Sequence, residues 1–363
     1  MMEIETKLKA IQTLLCKHQL DALLLRRVSS FAWATCGAAS YVNTASTEGA
    51  ASLLISPAGR YLITDNIEAP RLESEERLAE QGWEFRLHKW YDNSAVITQL
   101  TRGLKLAADA PYPGAVDLSA EIARLRASLT PEEVVRFRKV GNLCAEAMNA
   151  AIREIQPRMR EYEIASRLSA QAEQRGCQAI VNLIATDQRV FSYRHPLPTE
   201  KRLERYAMLV LCGRRWGLVA NLTRLIYFGT LPDEIRRKAA AVARIDAAFI
   251  AATRPGKTIG QVLEAGISAY QQTGYPDEWK LHHQGGAGGY EGREYIAVPG
   301  MPDPVRVDQV FAWNPSITGV KSEDTFLVGE EENEILTAID GWPTLEIELA
   351  GRVYRRPKIL EID

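Results

Sequence analysis

The chain has 363 residues, of which 46% are hydrophobic and 25% are charged, a composition typical of globular proteins with room for two domains. Its formal net charge of −2 and pI near 6.3 exclude the strongly basic surface of a protein that binds nucleic acids or anionic membranes. No run of 18 apolar residues occurs, so the sequence predicts no membrane-spanning segment.

The N-terminal part of the chain, residues 1–126, predicts a small α/β domain. Its acidic start, Met1–Glu5, lacks the apolar core of a signal peptide, and the five scattered cysteines form no CxxC pair. We therefore expect a cytoplasmic protein with reduced thiols. Apolar periodicity and turn signals predict a helix over Ile4–Leu20, a buried strand over Asp21–Leu25, a hairpin of strands over Ala51–Ser56 and Arg60–Thr64, and a helix over Ile67–Glu80.

A second domain is predicted over residues 127–330, followed by a C-terminal extension over residues 331–363. Thr130-Pro131-Glu132-Glu133 has the form of a capping box with proline at the first helical position, which predicts the start of a helix. The predicted helices cover Val134–Ile155, Tyr162–Arg175, Asp233–Thr253 and Ile259–Gln272, and the predicted strands cover Ile180–Ile184, Ala207–Leu211 and Leu218–Phe228.

Five short motifs carry the chemical information of the second domain. They are Val210-Leu211-Cys212-Gly213, Ala220-Asn221-Leu222-Thr223-Arg224, His283-Gln284-Gly285-Gly286-Ala287-Gly288-Gly289, Trp313-Asn314-Pro315 and Lys321-Ser322-Glu323-Asp324-Thr325. In order and spacing they resemble the catalytic domain of the pita-bread family, which includes aminopeptidase P, prolidase, methionine aminopeptidase and creatinase. The resemblance implies an α/β N-terminal creatinase-like domain followed by an α+β pita-bread domain with a curved antiparallel sheet. It also implies a homodimer in which Ser30–Trp33 lies near the pocket of the other subunit.

Most metal-ligand positions of that family carry other residues in this chain. The family's metallopeptidases have Asp, Asp, His, Glu and Glu, and the matching residues here are Leu211, Asn221, Gly286, Asn314 and Glu323. Leucine and glycine offer no side-chain ligand, and asparagine offers only a neutral one. A single carboxylate leaves two divalent ions about three charges short. The sequence therefore predicts that the chain binds no metal ion and needs no other cofactor.

Two features of these motifs have alternative interpretations. Leu211 and Asn221 are ten positions apart, one fewer than in the family, and only a slip to Cys212 would restore a ligand. Such a slip turns a strand residue to the other face. The run Gly285–Gly289 is not followed by the helix of a dinucleotide-binding loop, so it predicts close approach of backbones instead. The histidine missing at Gly286 predicts a gap that a substrate group could fill.

His195 is the predicted catalytic residue. Pro196 and Pro198 follow it and favour an extended backbone that holds the imidazole in one orientation. An imidazole titrates near neutrality, which suits proton transfer. In creatinase, which works without metal, the matching histidine is the proton shuttle, so the resemblance implies a general acid/base role for His195. The alternative is a structural histidine without a catalytic role.

The remaining predicted site residues surround this histidine. Glu323 is predicted as its catalytic polar partner, or else as a structural acceptor for Arg224. The predicted substrate-binding residues are His283, Arg293, Asn221, Asn314 and Arg224. The amides of both asparagines can hydrogen-bond a polar substrate without a cation.

Two of these assignments have specific alternatives. Gly292-Arg293-Glu294 is a tripeptide that creatinase shares, and its arginine could bind a substrate carboxylate bidentately or form a surface ion pair. Adjacent side chains on a strand point to opposite faces, so we expect only one of His282 and His283 to face the pocket, and we favour His283.

Three functions are compatible with the sequence. The first is a metal-independent hydrolase of a small C–N bond in an amino-acid derivative. The second is a metal-dependent Xaa-Pro aminopeptidase or dipeptidase, and the third is a non-catalytic protein that binds a peptide or metabolite in the same groove. All three predict a small-molecule or short-peptide ligand and no nucleic-acid or membrane partner.

Overall fold

The computed structural model describes residues 2–92 and 95–362, which divide into two units. The first unit comprises Met1–Glu133 with Trp216–Leu218, and the second comprises Val134–Arg215 with Val219–Asp363. The predicted order, an α/β domain followed by an α+β domain, is confirmed. The domain boundaries at residues 126 and 330 stay predictions. None of the helices within the described residues is long and apolar enough to cross a membrane.

The first unit contains five helices and six strands among its described residues. The helices are α1 (Met2–His18), α2 (Val28–Ala34), α3 (Ala69–Ser74), α4 (Val96–Leu100) and α5 (Ser119–Arg126). The strands are β1 (Ala22–Arg27), β2 (Glu48–Ser56), β3 (Gly59–Asp65), β4 (Glu84–His88), β5 (Leu106–Ala108) and β6 (Val116–Asp117).

The strands of the first unit form one mixed sheet in the order β4-β3-β2-β1-β5-β6. The predicted hairpin is confirmed, because β2 and β3 pair antiparallel and Ser56 lies opposite Gly59 at the turn. Leu24, Leu54 and Ile63, one from each of the three central strands, belong to one buried apolar cluster. Burial of such side chains is the main source of stability for a domain of this size.

One prediction for the first unit is corrected by the structure, and another stays a prediction. The helix predicted over Ile67–Glu80 ends at Ser74, and Arg77 has a φ of 53°, a left-handed conformation that a helix cannot continue. Ser30–Trp33 lies in α2, where all of its side chains are buried within the first unit. The predicted position of this segment beside a second subunit stays a prediction.

The second unit carries the predicted helices and a larger set of strands. Its helices are α6 (Pro131–Arg153, which begins in the first unit), α7 (Glu161–Gln174), α8 (Gln188–Ser192), α9 (Asp233–Ala252) and α10 (Ile259–Gln272). Its strands are β7 (Gln178–Thr186), β8 (Tyr206–Arg215), β9 (Leu218–Phe228), β10 (Gly285–Gly288), β11 (Tyr295–Ile296), β12 (Val310–Trp313), β13 (Ser316–Ile317), β14 (Val320–Lys321), β15 (Asp324–Leu327), β16 (Glu334–Ile335), β17 (Thr344–Leu349), β18 (Arg352–Pro357) and β19 (Leu360–Ile362).

The predicted start of α6 is confirmed by its capping contacts. The Glu133 carboxylate accepts from the Thr130 backbone N–H at 2.7 Å, and the Thr130 hydroxyl accepts from the Glu133 N–H at 3.3 Å. Each bond satisfies a backbone donor that the first helical turn cannot satisfy. The other three predicted helices agree with α7, α9 and α10 to within one residue at each end.

Two sheets position the polar residues of the second unit. One has the order β19-β9-β8-β7 and the other the order β11-β10-β12-β15-β16. Strand β9 is buried along almost its whole length. Its polar residues Asn221, Thr223 and Arg224 must therefore find hydrogen-bond partners inside the protein.

The predicted C-terminal extension folds as part of the second unit. Strands β17 and β18 pair as a hairpin, and Ile347 packs against Ala243 and Ala247 of α9. Strand β19 then adds to the edge of β9, with Leu360 opposite Ile226. The sequence predicts no structure for this segment. In the fold it supplies an edge strand and part of the apolar core.

Candidate functional site

Glu323 is the centre of a buried charge cluster. It lies directly before β15 and forms a backbone bridge with Thr223 of β9. Its carboxylate accepts from Lys321 Nζ at 2.8 Å, from Arg293 Nη2 at 2.9 Å and from Thr223 Oγ1 at 2.7 Å. Burial by itself raises the pKa of this carboxyl, but the charges of Lys321 and Arg293 hold that pKa well below its usual range. We call Glu323, Lys321, Arg293 and Thr223 the Glu323 cluster.

Two buried asparagines of the motifs present amide oxygens without a hydrogen-bond partner among the described residues. The Asn221 backbone N–H donates to the Thr325 hydroxyl at 2.7 Å, and its side-chain Nδ2 donates to the Gly292 carbonyl at 3.3 Å. Asn314 follows β12, and its backbone N–H donates to the Gln284 carbonyl at 3.0 Å. Both side chains are at least 98% buried, and within the described chain neither Oδ1 atom has a hydrogen-bond partner. Unpaired buried acceptors are costly, which makes both atoms candidates for contact with a ligand.

The two apolar motif positions are both buried within strands. Leu211 lies on β8 opposite Asn182 and is fully buried. At Gly286 on β10, a Cβ atom would come within 2.2 Å of the Tyr295 carbonyl oxygen and 3.1 Å of the Ala297 nitrogen. The prediction of an imidazole-sized gap at Gly286 is therefore wrong, because the neighbouring strand β11 fills that space. The predicted close approach of backbones along the glycine run is confirmed.

Cys212 is the residue that a register slip would turn into a ligand, and the charges of Glu323, Arg293 and Lys321 act on its thiol. It lies on β8, and burial raises the pKa of its thiol to about 12. Without a bound metal ion it is therefore a protonated thiol at neutral pH and a poor nucleophile.

Three histidines form a second polar group, which we call the histidine cluster. His195 lies in the loop after α8, while His282 and His283 lie between the 3₁₀ turn Glu278–Leu281 and β10. Nε2 of His195 is 2.9 Å from Nε2 of His282, and the His283 ring centroid is 5.6 Å from that of His195. The prediction that His282 and His283 point to opposite faces is wrong, because strand pairing begins only at Gly285.

Burial lowers the pKa of all three histidines, and the nearby positive charge of Lys321 lowers it further. At His195 and His283 the charge of Arg293 has the same effect. The pKa of His283 falls to about 4 and that of His282 to about 2, while that of His195 falls below its ordinary value of 6.5. The three imidazoles are therefore neutral at physiological pH. His195 is the exposed member of the cluster and His282 the buried one.

Arg224 does not reach this site. It follows Thr223 on β9, so its side chain leaves the opposite face of the strand. Its guanidinium donates to Asp324 Oδ1 at 2.8 Å and to the Glu323 backbone carbonyl at 3.3 Å, and it is 98% buried. This geometry does not support the predicted substrate-binding role of Arg224. It also excludes the alternative in which the Glu323 carboxylate serves as its acceptor.

Arg293 is directed inward, to the Glu323 cluster. Arg293 Nη1 donates to the Gly292 carbonyl at 2.6 Å, and Nη2 donates to Glu323, so the alternative of a surface ion pair is wrong. Its Nε atom is buried and has no partner within the described residues.

Lys321 is a member of the Glu323 cluster that the sequence prediction did not include. It could have been predicted as a site residue, because it lies two positions before Glu323 and alternate residues of an extended segment share a face.

The sequence pattern of Metallopeptidase family M24 matches residues 135–330, which is 196 of the 363 residues and more than half of the chain. The chain belongs to metallopeptidase family M24. Metallopeptidases are hydrolases, so the predicted family and enzyme class are confirmed. The Xaa-Pro dipeptidase of Pyrococcus furiosus is 25% identical over 305 residues, which cover 77% of this chain and 87% of that protein. The agropine synthesis cyclase of Rhizobium rhizogenes is 29% identical over 143 residues, which cover 37% of this chain and 36% of that protein.

A solved structure shows the same fold for this M24 chain. The prolidase from Pyrococcus horikoshii OT3 superposes with a TM-score of 0.79 at 20% identity. The match covers 92% of this chain and 99% of the prolidase. At this identity the likeness establishes the fold, and the predicted pita-bread architecture is confirmed.

Proposed function

We propose that this M24 chain is a metal-independent hydrolase that cleaves a C–N bond in a small amino-acid derivative. The observation that carries the proposal is the Glu323 cluster, in which Lys321 and Arg293 occupy the carboxylate that a metal ion would need. A divalent ion at Glu323 would displace both groups. Burial of a charge that has lost its partner costs several kcal/mol.

The other motif positions also do not fit a pair of divalent ions. Asn221 and Asn314 offer neutral amide oxygens, which are weaker ligands than carboxylates. Gly286 cannot be given an imidazole without moving β11, because its Cβ would lie 2.2 Å from a backbone oxygen. No step of the proposed reaction therefore runs through a metal ion.

His195 is the proposed general acid/base. Its imidazole is neutral and solvent-exposed, so it can accept a proton from water or from the substrate. The 2.9 Å contact between its Nε2 and that of His282 lets one neutral ring donate an N–H to the other, which fixes the orientation of the His195 ring. Glu323, which the sequence predicts as a catalytic partner, contributes here by holding Arg293 and Lys321.

The polar atoms without partners suggest the substrate class. Oδ1 of Asn221 and Oδ1 of Asn314 accept hydrogen bonds, so they suit a substrate that carries N–H groups. Arg293 Nε donates, so it suits a carboxylate or carbonyl oxygen on the same molecule. Because Nη1 and Nη2 of Arg293 already donate to protein atoms, we propose a single contact in place of the bidentate clamp. His283 completes the proposed substrate-binding set.

Relatives of this chain are named for different reactions. One relative is named an Xaa-Pro dipeptidase and another a synthesis cyclase, so sequence similarity to this family does not by itself select one reaction. A metal-dependent Xaa-Pro peptidase remains the alternative enzyme. The unpaired buried atoms of both asparagines also favour a non-catalytic binding protein as a second candidate, since they need a ligand but not turnover.

The metal-independence of the chain can be measured directly. We expect chelator-treated protein to bind less than one equivalent of Mn²⁺ in a calorimetric titration, because the Glu323 carboxylate is already paired with two cations. We also expect EDTA to leave the melting temperature unchanged. Two tightly bound Mn²⁺ ions per chain, or activity on Xaa-Pro dipeptides that requires Mn²⁺, would overturn the proposal.

We further propose that the protein is a homodimer. Tyr193, Leu197 and Leu281 flank the histidine cluster in sequence and are 54%, 71% and 61% exposed, so a second subunit would cover apolar surface there. Static light scattering at micromolar concentration should then give about twice the chain mass of 40.5 kDa. A molar mass of one chain at that concentration would contradict the dimer. A cytoplasmic location stays a prediction.

A further inference from the structure

We propose that the histidine cluster binds one divalent transition-metal ion such as Zn²⁺, at a site separate from the five motif positions. Three of the chain's five histidines meet here, and one nitrogen from each ring lies within 4.8 Å of the others. In a tetrahedral zinc site each nitrogen lies about 2.0–2.1 Å from the ion, so ligand nitrogens are separated by roughly 3.3 Å. Only small ring movements are needed, and the exposed His195 side chain can make them.

The ligand type selects the class of ion. Three imidazoles with no carboxylate suit Zn²⁺, Cu²⁺ or Ni²⁺, whereas Mg²⁺, Ca²⁺ and Mn²⁺ prefer oxygen ligands. The Nδ1 atoms of His282 and His283 are buried and have no partner within the described residues, so no protein hydrogen bond has to be broken there when the rings turn. The exposure of His195 leaves room for water as a fourth ligand.

The surroundings set limits on this site. Lys321 places positive charge near all three rings and Arg293 near those of His195 and His283, and Glu323 offsets part of it. This positive charge opposes the binding of any cation and should weaken the site. Among residues 2–92 and 95–362, no carboxylate or carbonyl accepts from the Nδ1 atoms of His282 and His283. Binding should therefore be weaker than at zinc sites whose histidines are held by such acceptors.

The consequence for function rests on the proposed role of His195. An ion bound to His195 takes the lone pair that the general base uses, so Zn²⁺ should inhibit the reaction rather than support it. The active form is then the metal-free chain, and zinc is an inhibitor that acts at the catalytic histidine.

Binding can be tested without knowledge of the substrate. Chelator-treated full-length protein is titrated with ZnCl₂ in a calorimeter, and separately with MnCl₂. We expect one Zn²⁺ per chain at this site and no Mn²⁺. His195→Ala, a change at an exposed position, and His282→Ala should each weaken zinc binding by roughly tenfold or more. His88→Gln, a change in the first unit, is the matched control and should bind zinc like the wild type.

The outcomes separate this site from the proposed function. Zinc binding that is equal in wild type, His195→Ala and His282→Ala would place the ion elsewhere, for instance at the free cysteines, and would overturn the site. Zinc binding that is lost in both variants supports the site even if no turnover is found. Stoichiometric loss of turnover with bound zinc supports the inhibitory role. Stimulation of turnover by zinc would keep the site but overturn both the inhibitory role and the metal-independent reaction.

Discussion

His195→Ala should lower turnover by roughly 100-fold or more, the usual effect of removing a positioned acid/base group. The assay uses a panel of amidino, N-acyl and N-methyl amino acids together with Xaa-Pro dipeptides. Affinity for the same ligand should change far less, because the asparagine oxygens and Arg293 remain in place. His88→Gln, which alters a histidine of the first unit, should retain wild-type turnover.

The pH profile gives a second readout of the same role. A general base acts in its neutral form, so the rate should rise with pH through the pKa of His195 and then level off. Burial and the charge of Lys321 lower that pKa below 6.5, so the limb should lie on the acid side of the neutral region that the sequence predicts. His195→Ala should lose this limb.

Two results would contradict the catalytic assignment. If His195→Ala binds a ligand as well as the wild type and no member of the panel is ever turned over, the chain is a binding protein. If His195→Ala retains both turnover and the acid limb, another group is the base. Arg293→Ala is a poor control for these experiments, because it also removes one of the two cations that pair with Glu323.

Arg356→Met should lower the free energy of unfolding by about 3–5 kcal/mol, the usual effect of breaking a buried ion pair. Arg356 is 1% exposed and lies in the C-terminal extension. Its Nε donates to Asp246 Oδ2 at 2.8 Å and its Nη2 to Asp324 Oδ2 at 2.7 Å. The substitution leaves Asp246 with only the Ser322 hydroxyl among its described partners. Urea unfolding of the full-length chain measures the change.

The neighbouring arginine offers a matched control. Arg355 is on the same strand, but its side chain is 72% exposed and pairs with the exposed Glu346. Arg355→Met should change stability by about 1 kcal/mol or less. Equal losses for Arg355→Met and Arg356→Met would show that the buried network is not the cause.

The loss caused by Arg356→Met should also depend on pH. Burial raises the pKa of Asp246 above that of an exposed aspartate, and removal of Arg356 raises it further. The folded variant then holds a proton that the unfolded chain releases. Because the folded state binds this extra proton, the free energy of unfolding falls as pH rises. The deficit should therefore be larger at pH 7 than at pH 5. Asp246→Asn in the Arg356→Met background should recover part of it.

Local sequence signals predict most of the long helices and the family correctly. The capping box at Thr130 and Glu133 and the periodicity of Ile259–Gln272 involve residues within a few positions of each other, so they are readable without the fold. The spaced motifs likewise predict the M24 scaffold, because each motif is a short segment with its own turn or strand chemistry. The helix predicted over Ile67–Glu80 failed because a backbone turn at Arg77 overrides helical periodicity.

The chemistry of the site depends on contacts that only the tertiary structure brings together. Arg293 and Glu323 are 30 positions apart in sequence, and His195 and His282 are 87 apart. Arg356 meets Asp246 across 110 positions. Sequence spacing sets no limit on which of these charges pair, because pairing depends on which strands the fold places side by side. The sequence by itself therefore predicts that most of the family's metal ligands are absent. Only the tertiary structure decided that Lys321 and Arg293 pair with Glu323, where a metal ion would otherwise bind.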